Sequence, residues 1–123
     1  MIIGSVNEKL EATLCLKMYG RGDQEQEVIA VVDTGYNGAL TLPAMMVSAL
    51  ALPTLAAREV TLGDTSRKVL DCYRAEIEWD GQRQAIAVLC VEGDPLLGTA
   101  LLKGYKLEAD FVVGGLVQVT TGS

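Results

Sequence analysis

Asp33, Thr34 and Gly35 follow directly on the apolar run Val28-Ile29-Ala30-Val31-Val32. A carboxylate at the end of a buried strand is costly unless hydrogen-bond donors, an opposite charge or a shared proton accompany it. Thr34 supplies a hydroxyl, and Gly35 permits a tight turn that brings backbone N–H groups close to whatever the carboxylate faces. The chemistry open to such a group is acid–base. The chain contains no histidine, which excludes Ser-His-Asp and Cys-His nucleophile activation and the common His-containing metal sites. Proton transfer falls to carboxylates, Lys, Tyr or Cys. Cys15, Cys72 and Cys90 are odd in number, widely separated and without Cys-x-x-Cys spacing. They predict reduced, mostly buried thiols of a cytosolic protein, with neither a disulfide framework nor a zinc site.

The elements that must hold Asp33 in place read as mainly strands. Residues 9–19 alternate Leu10, Ala12, Leu14, Leu16 and Met18 with mostly polar neighbours, the period of a half-buried strand. A turn over Gly20-Arg21-Gly22-Asp23 leads to a second strand over 27–33, whose unbroken apolar character predicts cover on both faces. Arg21-Gly22-Asp23 also spells an adhesion tripeptide, but Gly and Asp are drawn to turns for backbone reasons. A short strand over 38–42 precedes Pro43, which suits the first position of a helix over 44–52 that Pro53 ends. Strand-like runs at 58–62 and 68–73 flank Gly63-Asp64-Thr65-Ser66-Arg67, a hairpin with a polar tip. A further hairpin joins 75–79 to 84–91 through Asp80-Gly81, a favoured tight-turn pair. Leu96-Leu97-Gly98 then leads into a short helix over 99–103, and closing strands follow over 105–113 and 116–119.

Length and composition fit this economy. The 123 residues predict a single domain over 1–123, with 50% hydrophobic and 21% charged residues favouring a packed aliphatic core. Sixteen acidic residues against ten scattered basic ones give a net charge of -6, which argues against nucleic acid or an anionic membrane as partner. Residues 1–8 show no basic region leading into a long apolar stretch, and 44–52 falls well short of the roughly 20 residues a membrane helix needs. The expectation is a soluble, cytoplasmic protein.

The segment Val31-Val32-Asp33-Thr34-Gly35-Tyr36-Asn37-Gly38-Ala39-Leu40-Thr41-Leu42-Pro43 resembles the active-site strand of retropepsin-like aspartic proteases, particularly small bacterial and archaeal members with an aromatic residue after Asp-Thr-Gly. Leu96-Leu97-Gly98-Thr99-Ala100-Leu101-Leu102 resembles the second signature of that family, an apolar-apolar-Gly segment and its short helix. The two motifs in this order, across about 28–111, are far more specific than the tripeptide alone.

The resemblance implies a closed β-barrel of the retropepsin type, with one short helix after the active-site strands and one near the C-terminus. It implies an aspartic endopeptidase with no cofactor, acting on a polypeptide. Asp33 would be catalytic, Thr34, Gly35, Tyr36 and Asn37 would form the active-site loop, and the hairpin tip at Gly63, Asp64 and Thr65 would serve as a flap. With one Asp-Thr-Gly per chain, paired aspartates require a homodimer. Two positions depart from the family pattern. Tyr36 replaces a small Ala or Ser, which narrows the floor or adds a phenol to it. Thr99 replaces the Arg of many viral relatives, leaving Asn37 to bond the loop in its stead. The competing readings are a barrel of this type that binds or dimerises without cutting, and an unrelated structural barrel.

Overall fold

In a computed structural model, residues 1–55, 57–61 and 67–122 are described. Nine strands form one sheet: β1 (Ile2–Val6), β2 (Ala12–Tyr19), β3 (Glu25–Val32), β4 (Leu40–Leu42), β7 (Cys72–Trp79), β8 (Gln82–Cys90), β9 (Leu96–Leu97), β10 (Tyr105–Ala109) and β11 (Leu116–Thr121). β5 (Arg58–Thr61) and β6 (Arg67–Leu70) make a separate hairpin, and the helices are α1 (Ala44–Ala49) and α2 (Thr99–Leu102).

The sheet closes on itself. Its strands run β10-β11-β1-β2-β3-β9-β4-β8-β7, and β7 returns to β2 through Met18↔Ile77 and Tyr19↔Glu76, giving a six-stranded barrel of β2, β3, β9, β4, β8 and β7. Closure removes the exposed edges that those strands would otherwise present. Alternation along β2 and β7 puts Leu14, Leu16, Met18, Ala75, Ile77 and Trp79 inside, where they meet Leu40, Leu42, Val88 and Leu97 in one buried cluster. The mainly β architecture with two short helices is the one the sequence indicated.

Several boundaries differ, each for a physical reason. Residues 1–8, which carried no assigned element, contain β1, held between β11 and β2. The two-faced cover expected for β3 is incomplete: Val28 and Ala30 are buried, but Ile29 is 66% exposed. Pro43 is the N-cap of α1 rather than its first residue, and the free Ala44 N–H donates to Glu92 Oε2 at 2.8 Å. Helix α1 stops before Pro53 has any say. Ala51 takes φ +50, and Ala51 N–H and Leu52 N–H donate back to the Ser48 and Val47 carbonyls, the pattern that closes a helix through a left-handed residue.

The Asp80-Gly81 turn joins β7 to β8 as expected, with φ +51 and +81 at the two residues. Tyr73 belongs with β7, not with the strand before it, because Asp71 separates β6 from β7. The final strand pair is shorter than its apolar pattern suggests. β10 ends at Ala109, and Val112 N–H to the Asp110 carbonyl and Gly115 N–H to the Val112 carbonyl fold 110–115 into a turn that leaves Phe111, Val112 and Val113 exposed. Of the thiols, Cys72 is buried and Cys90 half-buried, but Cys15 faces solvent. Desolvation and the neighbouring carboxylates, Glu27 for Cys15 and Glu92 and Asp71 for Cys90, push both thiols up and keep them protonated.

Candidate functional site

Asp33 stands one residue past the end of β3, where the ladder itself fixes its backbone. β9 inserts between β3 and β4, parallel to β3 through Val31↔Leu96 and Val32↔Leu97 and antiparallel to β4 through Leu40↔Leu97. Val31 N–H donates to the Pro95 carbonyl at 2.8 Å and Asp33 N–H to the Leu97 carbonyl at 2.9 Å. The two sequence motifs, more than 60 residues apart, are thereby hydrogen-bonded neighbours. The two-residue strand Leu96–Leu97 is too short to announce itself in sequence.

The turn after β3 is tied from within and from beneath. Tyr36 N–H donates to the Asp33 carbonyl at 3.1 Å, and Gly35 N–H donates to Asp33 Oδ1 at 2.9 Å. This bond fixes the orientation of the carboxylate. Thr99 holds the loop from below: its N–H donates to the Tyr36 carbonyl at 2.8 Å and its hydroxyl to the same oxygen at 3.3 Å. Gly98 N–H donates to the Ala39 carbonyl and Ala100 N–H to the Gly38 carbonyl. The neutral tether expected of Asn37 is thus made by Thr99, and Asn37 itself is exposed.

Glycine is needed at 98 because a Cβ there would strike the Gly38 carbonyl oxygen and lie 2.6 Å from both the Tyr36 carbonyl oxygen and Tyr36 Cδ2. The half-buried Tyr36 ring folds over its own loop, its hydroxyl occupying the space that a side chain at Gly38 would fill. The phenol therefore packs on Gly38 and Gly98.

Two contributions were not apparent in sequence. Thr41, 4% exposed, accepts the Leu96 N–H on its Oγ1 at 3.0 Å and so satisfies a donor of β9 inside the barrel. Asp33 and Thr34 also border an open pocket of about 380 Å³, with Leu10, Glu11, Val31, Leu96, Leu107 and Phe111 on its walls. Leu10, at φ +60, is presented there by a turn in which Asn7 Oδ1 accepts the Lys9 and Glu11 N–H groups. In the sequence, Phe111 stood at the end of a run read as a closing strand over 105–113, with nothing to mark it as part of this wall.

Thr34 and Gly35 are exposed, and Asp33 is half-buried. The hairpin expected around 63–67 exists as β5 paired with β6, whereas Gly63, Asp64 and Thr65 lie outside the described residues. Among the described residues, no group of three His, Cys, Asp or Glu side chains is placed to hold a metal ion. Among the same residues, no helix is long and apolar enough to cross a membrane.

No family model matches the chain, and no curated protein matches it significantly in sequence. Among solved structures, a retropepsin-like aspartic protease from Rickettsia conorii superimposes with a TM-score of 0.57 at 14% identity, covering 99% of this chain and 92% of that one. At that identity the likeness establishes the fold, a closed β-barrel of the retropepsin-like acid protease type.

Proposed function

We propose that the protein is an aspartic-type endopeptidase, a cytoplasmic hydrolase that works as a homodimer with one Asp33 from each copy. The observation that best supports this reading is the setting of Asp33. Its backbone is clamped to β9 and its carboxylate is oriented by Gly35 N–H at the mouth of an open pocket, on a fold that the Rickettsia protease also has. One Asp-Thr-Gly per chain makes half of the acid–base pair, and a two-fold axis supplies the other half.

Two facing carboxylates do not both ionise cheaply, so the pair holds one proton and titrates as a unit. The ionised member takes a proton from a bound water whose oxygen attacks the scissile carbonyl, while the protonated member donates to the developing oxyanion. The carboxyl that took the water's proton then delivers it to the amide nitrogen, the C–N bond breaks, and the other carboxylate regains its proton from the tetrahedral hydroxyl, so that the pair again holds one proton. No covalent enzyme intermediate and no cofactor enter this sequence.

In this reading the exposed Thr34 hydroxyl bonds its counterpart across the dimer, and Gly35 keeps backbone close to both carboxylates. Leu96, Leu97 and Gly98 support the loop from beneath, and Tyr36 and Asn37 shape its outer wall. The polypeptide substrate lies as an added strand between this floor and the tip at Gly63, Asp64 and Thr65, with alternate side chains in pockets. The reading is tested on a peptide library between acidic and neutral pH. Wild type cleaves and Asp33→Asn does not. Cleavage that persists unchanged in Asp33→Asn rules out the pair, and a well-folded wild type that cuts nothing points to a binding module.

A further inference from the structure

The turn that leads into β2 is built around Asn7, and it holds one carboxylate in place. Asn7 Nδ2 donates to Glu11 Oε1 at 3.0 Å, Asn7 Oδ1 accepts the Glu11 N–H at 2.9 Å, and Asn7 N–H donates to the Glu11 carbonyl at 2.9 Å. Three bonds between the same two residues fix the Glu11 side chain together with its backbone. Glu11 is half-buried. Among the described residues, its Oε2 receives no hydrogen bond and its carboxylate forms no ion pair.

Glu11 and Asp33 border the same pocket, and among the described residues they are the only charged groups on its walls. Leu10, Leu107 and Phe111 make much of the rest apolar. A substrate side chain that enters this space takes water away from Glu11 Oε2. An apolar side chain leaves that oxygen without a donor, and an acidic one adds repulsion. A cationic side chain supplies the missing donor and an opposite charge, while its aliphatic stem lies along the apolar walls.

We infer that Glu11 sets the substrate class: the enzyme cuts polypeptides beside Lys or Arg, whose cation pairs with Glu11 in this pocket. The inference deepens the paired-carboxylate reading and rests on it. A two-fold axis relating the two Asp33 side chains puts one such pocket on either side of the scissile bond. The preferred bond therefore lies between two basic residues. The net charge of -6 acts in the same direction, drawing basic polypeptides toward the chain.

Peptides that differ only in the two residues flanking the scissile bond, Arg-Arg, Leu-Leu or Glu-Glu, test the assignment through kcat/KM of wild type, Glu11→Gln and Glu11→Lys, with circular dichroism to verify folding. Glutamine keeps an oxygen for Asn7 Nδ2, so this variant removes the charge and spares the turn. Wild type favours the Arg-Arg peptide over the Glu-Glu peptide by about a hundredfold or more, and added salt shrinks that ratio. Glu11→Gln lowers the ratio about thirtyfold, chiefly through KM, and Glu11→Lys inverts it. A wild type that cleaves without favouring the basic peptide overturns the assignment, and so does a Glu11→Gln chain that slows all three peptides equally, which would make Glu11 only a brace for its turn. In either case the paired carboxylates stand as long as Asp33→Asn abolishes cleavage. A folded wild type that cuts none of these peptides and nothing in the library overturns both.

Discussion

Replacing Gly98 by Ala tests whether the two motifs work as one packed unit. The backbone at Gly98, φ -102 and ψ -179, suits any residue, so the whole effect arises from lack of space. The obstructing atoms are the Gly38 and Tyr36 carbonyl oxygens, which are themselves held by Ala100 and Thr99 N–H groups, and the edge of the Tyr36 ring. Bringing a methyl from 2.6 Å to ordinary contact requires the Tyr36 part of the loop to retreat by about 0.8 Å, and the Gly38 carbonyl oxygen, which is nearer still, to retreat further. Overpacking of this kind costs about 1–3 kcal/mol, and lengthening the bonds to Thr99 and Ala100 adds about 1 kcal/mol. A loss of about 2–4 kcal/mol lowers the melting temperature by roughly 10 °C in a domain of this size. The same retreat moves Asp33 relative to any substrate, and displacements of about 1 Å cost on the order of a hundredfold in rate. Urea denaturation and peptide cleavage, measured where the variant is folded, read both effects. A variant with wild-type stability and activity within twofold of wild type refutes the packing argument.

Other substitutions separate the remaining contributions. Thr41→Val keeps the shape of the side chain but leaves the Leu96 N–H without its acceptor, and it lowers stability by about 1–3 kcal/mol in urea titration. Ala51→Gly relieves an exposed left-handed residue and raises the melting temperature, with a gain of about 0.5–1 kcal/mol. Asp80 is held below its ordinary carboxylate value, first by its hydrogen bond from the Met1 ammonium, 2.7 Å away. Because its folded value is the lower one, the stabilisation is present above the unfolded carboxylate value and is lost as pH falls through the folded one. Wild type should therefore exceed Asp80→Asn in melting temperature at neutral pH and converge with it in acid.

What could be read from the sequence was what repeats or breaks locally. The alternation over 9–19 placed β2, although the strand begins only at Ala12 and Leu10 lies in the turn before it, Asp80-Gly81 placed a hairpin, and the ordered motifs at 33 and 98 placed the loop beside its support. What escaped depends on partners distant in the chain. β1 is a strand because β2 and β11 flank it, and β9 is one because two strands enclose Leu96 and Leu97. Phe111-Val112-Val113 has the residues of a strand but lies exposed in a turn, since Asp110 and Gly115 claim the hydrogen bonds first. The helix after Pro43 ends through the left-handed Ala51, a conformation that alanine does not advertise. At the site itself, the tether that replaced the expected Asn37 bonds came from Thr99, which the motif had marked only as a departure from arginine.

The central claim is that each active site is made of two Asp33 side chains from two copies. Wild-type and Asp33→Asn chains, mixed in equal amounts and allowed to exchange, measure this directly through peptide-cleavage rate at fixed total protein. If both carboxylates are required, only the wild-type pairs cut, and the rate is about a quarter of that of unmixed wild type. A rate of about one half would mean that each chain works with its own carboxylate alone, and would contradict the shared-proton account.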